Sequence, residues 1–308
     1  MEEKIDYIVD VDSIRIDQFI ASKNEQLSRS YIQKLIKQGQ VSVDNTICSK
    51  PGFVVCNGAN ITLSIPVLKE VAIEPEDMNL DIIYEDKDII IINKPKGMVV
   101  HPAPGHYSHT LVNGLLYHCG NELSGINGEF RPGIVHRIDK DTTGVIVACK
   151  NDVAHRSLSE QLAVHSIQRK YHAIVYNNFM QDTGTIEGPI GRHPVDRKRM
   201  AINHKNGREA VTHYTVLDHL NGTYNYVECT LETGRTHQIR VHMSSINHPL
   251  LGDDVYGPQK NNLNVNLQGQ TLHAKTLGFI HPTTHKYVEF EAPLPDYFQK
   301  LLVKINGK

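Results

Sequence analysis

The stretch Arg131-Pro-Gly-Ile-Val-His136-Arg137-Ile138-Asp139-Lys140-Asp141-Thr142-Thr143-Gly144 leads straight into the apolar run Val145-Ile146-Val147-Ala148. The run reads as a buried strand, and the polar residues before it as the loop that feeds it. Loops set on rigid strands are where catalytic groups are usually placed. An aspartate between Ile138 and such a strand is partly buried, and burial is costly for a carboxylate unless it is paired. Residue types alone leave three readings open: a turn in which Asp139 or Asp141 bonds its own backbone, a magnesium site built from the two acids, or a catalytic carboxylate.

Working outward, Asn151 is placed to cap a helix with Ala154, Leu158 and Leu162 on one side. Strands are expected near 81–84, 88–92, 169–176, 210–218, 223–232, 271–279 and 287–291. Hairpin-like pairs dominate, which predicts an α+β fold around a mixed, mostly antiparallel sheet. Residues 12–68 read as a separate small module. Ile16, Phe19 and Ile20 have helical spacing. Ser28 caps a second helix with Ile32, Leu35 and Ile36 on its apolar face, and Gly39 stops it. Arg29, Lys34 and Lys37 give that helix positive polar faces. An acidic, proline-marked stretch from Pro66 through Glu70, Glu74, Pro75, Glu76 and Asp77 predicts a linker at 69–79, with the larger domain over 80–305. Gln259–Gln270, rich in Asn and Gln, reads as a loop.

The bulk numbers narrow the classes. The chain has 308 residues, enough for one large domain or two unequal ones. No apolar run approaches the roughly 18–20 residues of a membrane span. The polar, acidic Met1-Glu2-Glu3-Lys4 predicts no signal peptide. The five cysteines lack Cys-x-x-Cys spacing and predict reduced, cytoplasmic thiols. The net charge of −2 means that any nucleic-acid binding must come from local basic patches.

Two further segments carry chemistry. In Leu231-Glu-Thr-Gly234-Arg235-Thr236-His237-Gln238-Ile239-Arg240-Val241-His242-Met243 a strand ends at Gly234. Thr236 is expected to cap a helix whose apolar side is Ile239, Met243 and Ile246. Arg240 then sits near the helix start, against the dipole, and needs an acid or a phosphate to hold it. In Gln168-Arg-Lys-Tyr171-His-Ala173-Ile-Val175 alternation sets Tyr171 on the face of Ala173 and Val175, as a core tyrosine would be.

Together these segments resemble the RluA family of pseudouridine synthases. His136-Arg-Ile-Asp139-Lys-Asp-Thr-Thr-Gly144 is similar to the family's central motif, with Ile138 in place of the usual Leu. Gly234-Arg-Thr-His-Gln-Ile-Arg240-Val-His242 matches a later one, and Asn93-Lys-Pro-Lys-Gly97 and Leu272-His-Ala fall in order. Residues 12–68 resemble the small S4-type RNA-binding domain. That domain, together with Val99-Val-His-Pro102, Gly133-Ile-Val-His-Arg137 and Gly191-Arg-His-Pro194, is similar to the RluD-like branch.

The resemblance implies isomerisation of uridine to pseudouridine in a stem-loop of large-subunit (23S) ribosomal RNA, with no metal and no cofactor. It implies Asp139 as the catalytic aspartate, either nucleophile or base, Tyr171 as the active-site tyrosine, and Arg240 as the partner of the aspartate. Arg137 would fill the RNA stack when the uridine is everted. His136 and Arg235 would join it against RNA, and Arg29, Lys34 and Lys37 would contact phosphate. The expected setting is a monomer working on pre-ribosomal particles in the cytoplasm. Two rivals come from other classes. Eighteen histidines suggest a metal-dependent hydrolase, although no His-Glu-x-x-His spacing is present. The small module alone suggests a non-catalytic RNA-binding or ribosome-assembly protein. Among enzymes, a tRNA-modifying synthase is the nearest competitor.

Overall fold

The computed structural model describes residues 3–24, 27–65, 73–103, 105–120, 122–126, 128, 131–196, 199–258, 263 and 265–307. Pro66 and Glu70 of the expected linker, Met1 and Glu2, and residues 259–262 and 264 of the expected loop lie outside them. The chain divides into two units, Met1–Val71 and Ala72–Lys308.

The first unit runs β1 (Glu3–Ile8), β2 (Ile14–Arg15), α1 (Ile16–Lys23), α2 (Arg29–Lys37), β3 (Val41–Val43), β4 (Thr46–Ile47), β5 (Val54–Val55) and β6 (Asn60–Ile65). Ile16, Phe19 and Ile20 of α1 and Ile32, Leu35 and Ile36 of α2 close on Val41, Ile61 and Leu63 of the sheet. Each such fully buried side chain contributes about 1.5–3 kcal/mol. Ser28 caps α2 by accepting the Tyr31 N–H. Strand β1 starts ahead of the expected boundary at 12, because it pairs antiparallel with β6, Tyr7 opposite Ile61. Asp17 is fully buried and accepts hydrogen bonds from Arg15, Arg29 and Gln33. Burial works against its charge, but those donors outweigh it and hold its carboxyl down at about 2.

The second unit runs β7 (Ile82–Glu85), β8 (Ile89–Lys94), α3 (Leu111–Cys119), β9 (Thr143–Cys149), α4 (Asp152–Ala163), β10 (Gln168–Tyr176), β11 (Thr183–Glu187), β12 (Ile190–Arg192), β13 (Met200–Ile202), β14 (Val211–Leu220), β15 (Tyr224–Leu231), α5 (Gln238–Ser245), β16 (Leu272–Ile280), β17 (Tyr287–Glu291) and α6 (Asp296–Asn306). Its main sheet is ordered β11-β14-β15-β10-β16-β9-β8-β7, with β17 also on β16. The pairings in it are antiparallel except β9 with β16. It is the mixed, mostly antiparallel sheet of an α+β fold. Ile89–Ile92 and Val145–Cys149 are buried throughout, as continuous apolar runs in central strands must be. Asn151 caps α4 through the Ala154 N–H.

The parallel contact is short, His273 with Thr143 and Ala274 with Gly144. Gly144 has φ +107, and a Cβ there would overlap the Ala274 carbonyl. Only glycine lets the N-terminal end of β9 approach β16 this closely. Beside it, Thr143 Oγ1 lies 2.8 Å from His273 Nδ1, and His273 Nε2 donates to the Ala292 carbonyl at 3.2 Å. His136 Nε2 accepts the Val147 N–H at 3.1 Å. Burial pushes both rings down to about 4.

Gly144→Ala is expected to cost about 2 kcal/mol or more, read as a lower thermal midpoint. A midpoint equal to that of the unaltered chain would contradict the close approach. The two histidines also give a pH dependence. A histidine whose folded pKa lies below its unfolded value binds fewer protons when folded. Its stabilisation is therefore present above about 6.5 and lost as pH falls toward 4. Melting followed by circular dichroism should show the midpoint dropping across that window, while Asp17 stays ionised. A midpoint flat down to pH 4.5 contradicts it.

Candidate active site

Asp139 sits on the loop that enters β9. The backbone makes the turn, since the Asp139 carbonyl accepts the Thr142 N–H at 3.1 Å. The side chain is left for a tertiary partner, so the local-turn reading of its carboxylate does not describe it. The loop is pinned one residue on. Lys94, fully buried at the end of β8, donates to the carbonyls of Pro95, Met98 and Lys140, each at 2.9 Å. The Gly97 N–H reaches the same Lys140 carbonyl at 3.0 Å. Burial pulls Lys94 down to about 7 against the pull of Asp141 and Asp139. Three carbonyl acceptors match the three N–H donors that only the ammonium form has.

Arg240 supplies the partner. Its Nη1 donates to Asp139 Oδ2 at 3.0 Å. Its Nε and Nη2 are taken by Asp253, at 2.7 and 2.9 Å, in a two-point contact. Asp253 is fully buried and its Oδ1 also accepts the N–H groups of Val255 and Tyr256. Burial alone would weaken the guanidinium's charge; Asp253 first and Asp139 second reverse this and raise its pKa. The helix carrying Arg240 does not start as expected. Its N-cap is His237, in the left-handed region at φ 56 and with no side-chain cap, rather than Thr236. Gln238 is the reason. Its Oε1 accepts the Arg235 N–H and the Thr233 hydroxyl, and its Nε2 donates to the Val211 carbonyl and Thr212. These bonds fix the entry of the chain without a threonine cap.

Tyr171, on β10, lies beside the carboxylate and faces inward with Ala173 and Val175. Burial raises its hydroxyl's pKa, so it stays protonated at neutral pH. Asp139, Tyr171 and His237 border a cleft of about 540 Å³ whose walls carry Arg131, Arg137, Arg169, Arg208 and Arg235, with His136. Sequence-selected Asp139, Tyr171, Arg137, His136 and Arg235 thus line one cleft, and Arg240 joins them through its bond to Asp139. Of these, Arg137 is exposed, whereas Arg235 uses Nε on the Glu209 carbonyl. Arg29, Lys34 and Lys37 lie on α2 of the first unit. Lys34 and Lys37 are exposed, but Arg29 spends Nε and Nη2 on Asp17. Among the described residues, the acid–histidine group with ligand-like spacing is Asp86, Asp88 and His281, and it excludes Asp139 and Asp141. Its Asp86 Oδ2 contacts are His281 and Tyr84.

Residues 88–245 match the family model described as RNA pseudouridylate synthase, and residues 14–61 match that of the S4 domain. The chain belongs to the RNA pseudouridylate synthase family. A Bacillus subtilis (strain 168) protein named "Uncharacterized RNA pseudouridine synthase YlyB" is 50% identical over 96% of this chain and 95% of its own length. A Zymomonas mobilis protein named "Ribosomal large subunit pseudouridine synthase D" is 47% identical over 93% of this chain and 92% of its own. The solved structure of human RNA pseudouridylate synthase domain containing 4 superposes with a TM-score of 0.57 at 26% identity, over 73% of this chain and 92% of that one.

The synthase is thus an isomerase that converts uridine to pseudouridine. Three of its site-building residues escaped the sequence reading. Asp253 carried only a faint signal, as one of two adjacent acids after Gly252. Lys94 stood in a matched motif without a role. Arg169, buried beside Tyr171 and donating to the Glu232 carbonyl, looked like one charge among many. Replacing Asp253 by Ala leaves a buried guanidinium half-compensated, and is expected to cost about 3–5 kcal/mol. Asp253→Asn keeps the shape, so its loss should appear in turnover more than in the melting midpoint. Unchanged melting and turnover in both variants would contradict the anchoring role.

Proposed function

We propose that this synthase modifies uridines of large-subunit ribosomal RNA, with Asp139 as the group that attacks or deprotonates at the sugar. The single observation behind the role of Asp139 is a carboxylate with one oxygen on Arg240, bordering an arginine-walled cleft. The reaction breaks the N1–C1′ bond, joins C5 to C1′, loses the C5 proton and returns a proton to N1. Atoms balance within the nucleotide. Arg240 holds Asp139 aimed through the bond to Oδ2. Tyr171 offers a ring against which the base stacks, and its protonated hydroxyl can accept the C5 proton only by passing on its own. Arg137, exposed at the rim, suits the space left by an everted base. His136 and Arg235 line the same wall.

The substrate assignment rests on relatives named for the ribosomal large subunit. The S4 match supports Lys34, Lys37 and the free edge of Arg29 as phosphate contacts. Five arginines around one cleft supply the local positive field that a chain of net charge −2 needs for RNA. Domains at 12–68 and 80–305 joined by a linker at 69–79, a monomeric state, a cytoplasmic site of action and pre-ribosomal particles as substrate complete the reading. No helix among the described residues is long and apolar enough to cross a membrane.

The test is tritium release from large-subunit rRNA labelled at C5 of uridine. Asp139→Asn should lower turnover by about a thousandfold or more while RNA binding changes little. Turnover retained by that variant would refute the role of Asp139. Chemical mapping of pseudouridine in rRNA from a strain lacking the enzyme should show missing sites; an intact rRNA pattern with missing tRNA sites would move the substrate to tRNA.

A further inference from the structure

His237 caps α5 from the left-handed region, its carbonyl accepting the Val241 N–H at 2.9 Å. A non-glycine residue at φ 56 is strained, and such strain gathers at functional sites. The ring is fixed from one side. Tyr256 Oη lies 2.9 Å from His237 Nδ1 and accepts the Met200 N–H at 2.9 Å. Tyr256 Oη already accepts from Met200, and its own proton finds its acceptor at Nδ1 among the described residues. Nδ1 is therefore the acceptor nitrogen, and Nε2 carries the hydrogen. Burial keeps the ring neutral, with Asp139 opposing and Arg240 reinforcing.

His237 Nε2 lies 3.9 Å from Asp139 Oδ1. That gap is too long for a hydrogen bond. Both residues border the cleft, and their side chains are about one-fifth exposed, 22% and 19%. Asp139 Oδ2 is committed to Arg240, whereas Oδ1 has no hydrogen bond from the protein among the described residues. A donor and an acceptor thus stand side by side, unsatisfied, facing one space.

The chemistry of what fits there is restrictive. A uracil carbonyl only accepts, and the uracil N3–H only donates. A hydroxyl does both, accepting from Nε2–H and donating to Oδ1. Within an RNA chain the 3′ and 5′ oxygens are esterified, so the free sugar hydroxyl is the 2′ one. Resting on the reading of Asp139 above, we propose that His237 and Asp139 Oδ1 together bind the 2′-hydroxyl of the target nucleotide. The pair orients the ribose against the carboxylate and makes the site selective for RNA over DNA. Tyr256 acts as a positioning residue by setting the tautomer.

The experiment uses the full-length enzyme and a synthetic stem-loop containing a uridine that it converts. A second version carries 2′-deoxyuridine at that one nucleotide and serves as competitor, so its affinity is measurable whether or not it reacts. For the unaltered enzyme the deoxy version should bind about tenfold more weakly than the half-saturating concentration of the ribose version in single turnover. His237→Asn tolerates the left-handed backbone but cannot reach the gap; it should shrink that ratio to about threefold or less. His237→Gln, long enough to place an N–H near the Nε2 position, should restore much of it. Tyr256→Phe should shrink it partially. The same ratio in the unaltered enzyme and His237→Asn overturns the proposal, as does no ribose preference in the unaltered enzyme. A purely structural role would move the melting midpoint and weaken both RNAs equally, which also overturns it. Failure of the parent reading is distinguishable, since it would appear as turnover retained by Asp139→Asn.

Discussion

One guanidinium shared between two carboxylates organises this active site. Arg240 turns its two-point edge to buried Asp253 and its remaining nitrogen to Asp139. Taking three charges out of water is expensive, and such a cluster is a poor way to stabilise a fold. It is a good way to hold one carboxylate in place. Asp253 is satisfied by backbone N–H groups as well, so it anchors the guanidinium firmly. Arg240 therefore reaches Asp139 as a donor already fixed in place.

The sheet exists, for this purpose, to bring three distant segments to that point. Asp139 arrives at the start of β9, Tyr171 on β10, and Arg240 on α5 after β15. Strand β16 stands between β9 and β10 and makes the parallel contact at Gly144, where a side chain has no room. Lys94 and Gly97 then clamp the Lys140 carbonyl, fixing the loop immediately after the carboxylate. The first unit uses a related device for a different end. Its Asp17 gathers Arg15, Arg29 and Gln33 at a buried point, which ties α1 to α2 and takes much of Arg29 away from RNA.

Local signals in the sequence were read correctly where the partners are close along the chain. Ser28 and Asn151 cap their helices because each bonds an N–H three residues on. The apolar faces of α1 and α2 follow from periodicity and the buried runs in β8 and β9 from continuous apolar sequence, whereas α5 buries Gln238, Arg240 and His242 as well as its apolar side. Thr236 was misread because the competing interaction is tertiary: Gln238 bonds Thr233, Val211 and Thr212, and so sets the entry of α5 before a threonine cap can form. Strand β1 was missed because its value lies in an edge of β6, more than fifty positions away in the register.

By itself the sequence determined the α+β class and the division into a small and a larger part, because hydrophobic period and turn chemistry are properties of a linear chain; Asp139, Tyr171 and Arg240 were named together only through the family resemblance. Tertiary structure alone decided that Arg240 is shared with Asp253, that Lys94 braces the loop, and that His237 faces the open oxygen of Asp139. Those facts depend on which buried charge meets which partner across many residues. Burial makes an unpaired charge costly, so the folded arrangement, and not the local chain, selects the pairing.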